Sequence, residues 1–494
     1  GMLPVCVRTL AGGKFELELP PEATILAVKE HVTELWRIQP KFQALLHGTV
    51  DVPNDDRIDA HLEGDSVCLT VVLTLDCARK ALESQDRDRQ LFALEDLENL
   101  GSLGGPAAVA LVSSVLADAN GDVRSCAGRV LVTAMGELGD PEILEAIREH
   151  LAHATWGVRW TTLHTLKEAP KSQHKLAFEL VEPLLNDPHS SVREAAAQTM
   201  ALVCEPGDNR AIFLLASRLE DQDIAGRDAA IEGLTIVAGR GHRHALRFAS
   251  SRLDHGDCNV RMAAVQAVAE LAAPGDAETV RLLGLCLKDT RARVRVAAGE
   301  ALGMVAERDD PLVMDLVSVH LTHADPSVRW AAVQALSKVV GCGNERAVSL
   351  LKERTRDDES QVRRAALQAL PSVVPEGDSA AIAHILRLVA DRDEQVARSA
   401  AKALGKIAGK DNEETIAVLQ DRLQEGRSAT KRAILAALPC VSRRGNAHVM
   451  GIVAAYLDHE DASVREAAAK TASALRPLKR AGAQAQAQAA VPAP

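Results

Sequence analysis

A Val-Arg pair followed by an alanine-rich run returns in this chain at a fixed interval of 34 residues. The marked positions are 159, 193, 227, 261, 295, 329, 363, 397, 431 and 465. Arginine stands at all of them except Ala397 and Lys431. Arg124 lies 35 residues before Arg159, and a worn unit around Gln90 lies 34 earlier still, for about twelve units with almost no insertion. A period this constant means that one supersecondary unit is repeated, and that each unit buries its apolar face only against its neighbours. The constancy also predicts one continuous right-handed curved rod between Arg159 and Arg465, with no hinge or sheet inside it.

Each unit has the same grammar. Eight residues before the marked position stands Leu in most units, as in Leu185, Leu219 and Leu287; seven residues after it stands Leu or Met, as in Met200, Leu234 and Leu302. Gly207, Gly241, Gly275, Gly343, Gly377 and Gly445 fall fourteen residues after it, where a left-handed residue can end a helix. Asp208, Asp276, Asp310, Asn344, Asp378, Asn412 and Asn446 follow at the next position, as N-caps for a second helix. The unit therefore reads helix A, short turn, helix B, then Gly-Asp into the next helix A. Aromatic residues make up only 2% of the chain, so Ala, Val and Leu must fill the core, which suits thin layers of closely packed helices.

The first seventy-odd residues follow a different period. Val5 and Val7, then Phe15, Leu17 and Leu19, alternate apolar with polar as half-buried strands do, around a turn at Leu10-Ala11-Gly12-Gly13-Lys14. Thr24 precedes Ile25, Val28, Val32 and Leu35, one face of a helix. Strands follow at 44–46 and 67–73. The order strand, hairpin, strand, helix, strand, strand is that of a β-grasp fold.

Two family resemblances follow from these residues. The stretches VRTLAGGKFELELPPEATILAVKEHV, QALLHGTV and GDSVCLTVVL resemble ubiquitin-like domains over residues 2–75. That resemblance implies a surface recognition patch at Leu10, Leu45 and Val72. No Gly-Gly ends the unit, so conjugation through that end is not expected, and a role as a mere cap on the helices remains open. The pattern D-x-x-x-x-V-R-x-A-A-x-x-A-L-G, fullest around Arg295-Val-Ala-Ala-Gly-Glu-Ala-Leu-Gly303, resembles HEAT repeats of the short type found in phycobilisome lyases, over residues 80–478. It implies an α-solenoid of about 11–12 two-helix repeats. The fold class expected is thus α+β overall, a small β-grasp domain ahead of a large all-α solenoid. The tail 481–494, AGAQAQAQAAVPAP, is expected to be disordered. The marked arginines read as scaffold, a buried ladder bonding the loop carbonyls and the acidic residues six and four positions earlier, such as Asp187, Asp223, Asp289, Asp325 and Glu359.

Chemistry is hard to place on this chain. The formal net charge is −11, a poor match to coating nucleic acid. No apolar run is long enough for a membrane span, and no secretory leader is read. The nine cysteines show no zinc-ligand spacing and suggest reduced thiols in a cytoplasmic protein. Deoxyhypusine hydroxylase, a HEAT enzyme, binds iron through several His-Glu pairs; this chain has only His459-Glu460. His153, His255, His323 and His459 recur where other units have Asp, which points to loop capping and not to a metal. Neither a nucleophile elbow nor a phosphate or dinucleotide loop is present. No catalytic residue, cofactor or metal ligand is therefore assigned. HEAT-like DNA glycosylases need aromatic and acidic residues close together on a basic groove, whereas Trp160 and Trp330 lie five units apart.

Specificity in a regular array belongs to the positions the repeat leaves variable. At 100° per residue, the first and fifth residues after the marked one lie opposite the buried side of helix B. In HEAT arrays that side lines the concave surface. Read along the chain, these positions are acidic at Glu194, Asp228 and Glu232, apolar at Met262, Val296 and Trp330, and basic at Arg364, Arg398 and Arg432, with Trp160 ahead of them. The expectation is a non-catalytic scaffold or adaptor. It would bind a helix or extended segment of another protein through Trp160, Met262, Val296, Trp330, Arg364, Arg398 and Arg432, with the ubiquitin-like domain as a second docking module and ubiquitin receptors among its expected partners. The alternative is a HEAT-like lyase or chaperone of a chromophore-bearing protein.

Overall fold

The computed structural model describes residues 2–10, 13–134 and 139–477. The expected tail 481–494 lies outside these residues, as do Ala11 and Gly12 of the expected turn. The chain divides into two compact units, Gly1–Gly239 and Arg240–Pro494.

The first unit opens with a mixed five-stranded sheet. Its strands are β1 (Leu3–Thr9), β2 (Lys14–Leu19), β3 (Gln43–His47), β4 (Val50–Asp51) and β5 (Val67–Leu73), in the order β2-β1-β5-β3-β4. β1 runs parallel to β5 and the other pairings are antiparallel. Helix α1 (Ile25–Trp36) covers one face, burying Ile25, Val28 and Val32 against Val5, Val7, Leu45, Val67, Leu69 and Val71. Thr24 occupies the N-cap position of α1, but its side chain makes no cap bond. Buried Gln43 ties β3 to α1, its Nε2 donating to the carbonyls of Lys29 and Ile38 at 2.9 and 2.6 Å.

β5 passes into the helices with only Thr74 and Leu75 between them. The join is held from both sides. The Lys41 ammonium pairs with Asp96 and sits 4.9 Å from the Phe92 ring centroid, and Cys77 Sγ donates to the Lys41 carbonyl. From Asp76 to Leu475 the described residues form helix pairs in the expected A-then-B order, with short 3-10 turns but no strand. Five B helices fall in the first unit, from Arg87–Leu100 to Ile224–Ala238, and seven in the second, from Cys258–Leu271 to Ala462–Leu475. Adjacent B helices approach so closely that a Cβ at Gly405 would land on the Cys440 carbonyl oxygen. Small side chains are what allow this spacing, consistent with the near absence of aromatics.

The expected ladder is present, with one correction. Each marked arginine bonds its own A–B loop through Nη1, as Arg159 does to the carbonyls of His153 and Ala154 at 2.7 and 3.1 Å. Where a carboxylate partner is present, however, it belongs to the following unit, six residues before that unit's marked position, and Arg193 also reaches Asp223, four before it, at 2.5 Å. Arg159 grips Asp187 with Nε and Nη2, both at 2.7 Å; Arg193 holds Asp221, Arg261 holds Asp289, Arg329 holds Asp357 and Arg363 holds Asp391 in the same way. The carboxylate of its own loop is already taken, as Asp187 is by the His189 N–H and by Arg159, so the guanidinium bonds only the carbonyls there and crosses to the next repeat for its carboxylate.

The histidines at the loop position cap it as expected. Nδ1 of His153, His255, His323 and His459 accepts the backbone N–H two residues on, where aspartate carboxylates do so in the other units. The cost appears one repeat earlier. Ahead of His323, buried Arg295 keeps an Nε without a partner. Ahead of His459, Lys431 Nζ is 3.4 Å from the ring.

The recurring glycines have positive φ as expected, but they do not end helix B, which stops several residues earlier. They turn the loop so that the amide reaches one of the last two carbonyls of the next B helix. Gly207 donates to Val237, Gly275 to Val305, Gly343 to Val373 and Gly377 to Ile407, at 2.7 to 2.8 Å. Asp309 and Asp411 take the same conformation without glycine, at φ 62° and 64°. The seven N-caps expected at the start of the A helices, Asp208 to Asn446, all accept a first-turn N–H.

Candidate functional site

On the sheet domain the expected patch needs a correction. Leu10 is 80% exposed and Val72 is partly exposed, but Leu45 is fully buried. Leu45 lies opposite Val71 on the face covered by α1, whereas Leu46, opposite Thr70, points the other way. A shift of one residue along a strand moves a side chain to the opposite face. Leu46 is therefore the β3 residue that shares the open face with Val72 and its partner Ala44.

On the helical repeats, none of the seven expected partner-binding residues is buried. In the first unit Trp160 is 36% exposed. In the second, Met262, Val296, Trp330 and Arg364 are half-buried, and Arg398 and Arg432 are exposed. The helical periodicity thus identifies the open side of helix B. The degree of exposure could not be read from it, because neighbouring helices cover the apolar members in part.

The basic end of the second unit contains a real concavity. A groove of about 460 Å³ is lined on the B-helix side by Ala397, Arg398, Arg432, Ala436, Glu466 and Lys470, among others. Ala397, which replaces a ladder arginine, is part of its wall, so the groove lies at a gap in the ladder. Arg398 is held by Glu394 and Lys470 by Glu466, each at 2.6 Å and one helical turn apart. Arg364 and Arg432 form no salt bridge among the described residues, and Arg432 lies in the field of Asp461. The volume is in the range of small-ligand sites, but the walls are alanine and charged side chains on one open face, a shape suited to part of a polypeptide.

In the first unit the sequence reasoning missed Trp156. It begins the helix Trp156–Leu166, is 45% exposed and stacks on His189 at 4.2 Å with an interplanar angle of 5°. Its signal was the four-residue spacing from Trp160, which places both indoles on one helix face. Trp160 in turn lies 4.1 Å from the His164 ring. Burial, then the charge of Lys167, keeps His164 less basic than an ordinary histidine. Burial also lowers Lys167, while Glu194, Glu232 and Glu168 act in the opposite sense.

Among the described residues no group of three or more His, Cys, Asp or Glu is placed to hold a metal, and no helix is long and apolar enough to cross a membrane.

Residues 128–201, 212–303 and 279–371 match the family described as HEAT repeats. The N-terminal region is 37% identical over 70 residues to Ubiquitin-like protein 1 of Schizosaccharomyces pombe; the match spans 14% of this chain and 88% of that protein. Among solved structures, the fold resembles the karyopherin Kap121p bound to Pho4p, and Kap121p bound to the SUMO protease Ulp1p. Both give a TM-score of 0.53 at 14% identity over 81% of this chain. The chain spans about half the length of those structures.

Proposed function

Since the chain is a ubiquitin-like domain joined to HEAT repeats, we propose that it works as a non-catalytic adaptor whose B-helix faces hold segments of other proteins. The observation that carries this reading is the row Met262, Val296, Trp330, Arg364, Arg398 and Arg432 on successive B helices of the second unit. Every member is at least partly open to solvent, and the row ends in a groove. Neither the tryptophan nor any of the three arginines is among the buried core side chains. An apolar strip running into cations suits a segment with an apolar middle and an acidic end, with Trp and Arg as its strongest contacts. Kap121p is a protein of similar fold captured with protein partners, which supports the reading. The nine free cysteines support a reducing compartment such as the cytoplasm.

The ubiquitin-like domain is the second docking module in this proposal, through Leu10, Leu46 and Val72, with ubiquitin receptors as the partners to try first. The test is affinity capture of partners with the intact chain, followed by binding measurements on variants. Trp330→Ala should weaken a captured partner by about 2 kcal/mol. Reversing Arg364, Arg398 and Arg432 to Glu should slow association and reduce its salt dependence. A Trp330→Ala chain that melts many degrees lower yet binds its partners normally would show that the tryptophan only packs.

A further inference from the structure

Two exposed tryptophans on one helix face are an unusual feature in a chain with four in all. Trp156 and Trp160 are one turn apart, and each keeps open ring surface beside its histidine neighbour. Neither belongs to the buried core. The next two B helices, Ser190–Val203 and Ile224–Ala238, present Glu194 at the position matching Trp160, then Asp228 and Glu232. Asp228 and Glu232 are exposed and Glu194 is half-buried, and none of the three forms an ion pair among the described residues. The cations nearest this face are few. Arg129, on the preceding B helix, is taken by Glu98. Lys167 donates to Gln198 Oε1 at 3.3 Å and shares the field of Glu194 and Glu232.

From these observations we infer that the B-helix face of the first unit docks an extended protein segment carrying lysine or arginine side chains. One cation lies over the Trp156–Trp160 surface and the following ones meet Glu194 and the Asp228–Glu232 pair. The choice of occupant follows from charge. An apolar segment would satisfy the indoles but strip water from three carboxylates that no salt bridge neutralises, two of them sharing the field of Lys167. An acidic segment or a nucleic acid would be repelled. A cation is attracted by the face of an indole and by a carboxylate alike. Packed helices stand ~8–10 Å apart and an extended chain advances ~3.3 Å per residue, so cations about three residues apart meet successive helices.

The inference rests on the adaptor reading, and its test separates the two. The probes are a short labelled peptide with lysine at every third position in a Gly-Ser background, and its glutamate counterpart. Both are titrated onto the intact chain by fluorescence anisotropy at several salt concentrations. The lysine peptide should bind more tightly than the glutamate peptide. The combined Glu194→Gln, Asp228→Asn, Glu232→Gln variant should bind it about tenfold more weakly and with a shallower salt dependence. Trp160→Ala should weaken it too, and Lys167→Gln should tighten it about twofold by removing the competing ammonium. Glu413→Gln with Glu414→Gln, exposed on the A helix Glu413–Glu425 of the second unit, should leave it unchanged. Thermal melts of each variant separate lost binding from lost fold. Equal binding of both peptides, or a carboxylate-free variant that folds and binds as well as the parent, overturns the inference. A glutamate peptide that binds through Arg398 and Arg432 while the lysine peptide does not bind overturns it too, and leaves the adaptor reading standing.

Discussion

Gln90 Nε2 donates to Asp118 Oδ2 at 3.0 Å and to the Leu82 carbonyl at 3.1 Å. It thus makes, without a charge, the link that arginine makes from each repeat to the next. The ladder is defined by its geometry of one loop carbonyl behind and one carboxylate ahead, and the residue that supplies it can change. What matters energetically is whether the carboxylate ahead is present.

That distinction predicts opposite outcomes for two arginines in neighbouring repeats. Arg261→Met leaves Asp289, whose side chain is 10% exposed, buried without its partner. Breaking such a pair costs about 3–5 kcal/mol. Arg295→Met removes a side chain whose Nε already lacks a partner and which faces His323 in place of a carboxylate, so the loss should be about 1.5 kcal/mol, that of its Nη1 bond to the Asp289 carbonyl. Urea midpoints of the two variants measure the contrast. Equal losses would mean that the carboxylate contributes little.

Acid should attack the same ladder. Burial alone would raise the carboxyls of Asp221, Asp289 and Asp357, but the guanidiniums of Arg193, Arg261 and Arg329 and the N–H of the residue two positions on outweigh it and hold all three below the ordinary aspartate range. As pH falls, the unfolded chain therefore takes up protons first. The stabilisation is complete above the ordinary carboxylate pKa of about 4 and is lost as pH drops through the lower folded values. The melting temperature should be level from neutral pH to about 5 and fall below about 4. Asp221→Asn should lower the plateau and flatten that acid limb. A midpoint that rises on acidification would contradict the sign.

Asp309 shows how glycine can be replaced at the loop. Its Oδ1 accepts the Gly341 N–H at 3.1 Å and Asn344 Nδ2 at 2.6 Å; Asp411 does the same with Arg443 and Asn446. Gly377, at φ 83° with open space around a would-be Cβ, has Gly409 and Asn412 at the matching positions ahead of it. Gly377→Asp should therefore be tolerated, whereas Gly377→Ala should cost about 1–2 kcal/mol from the left-handed backbone alone. Calorimetric melts of both variants would show it, and a worse outcome for aspartate than for alanine would refute the capping account.

Leu45 and Leu46 divide packing from surface on one strand. Leu45→Ala should cost about 2–5 kcal/mol, since the side chain is fully buried under α1. Leu46→Ala should leave the melting temperature nearly unchanged and reduce binding of any ubiquitin receptor that the intact chain recruits. Loss of the fold in Leu46→Ala, with Leu45→Ala harmless, would reverse the assignment of faces.

The repeat period, the helix order, the N-caps and the open side of helix B were legible in the sequence. Each depends on near neighbours in the chain, and 34-residue self-similarity repeats the signal many times. The β-grasp order was legible for the same reason, through alternation in β1 and β2 and helical spacing in α1. Three things were decided only by tertiary structure. Arg193 reaches Asp221 and not its own loop acid because Arg159 and the His189 N–H already hold Asp187. Leu45 faces the core because the register of β3 against β5 is one residue away from the reading by resemblance, and a strand has no intermediate orientation. Trp156 joins Trp160 on an open face because that helix begins at Trp156, a boundary that periodicity leaves uncertain by a residue or two.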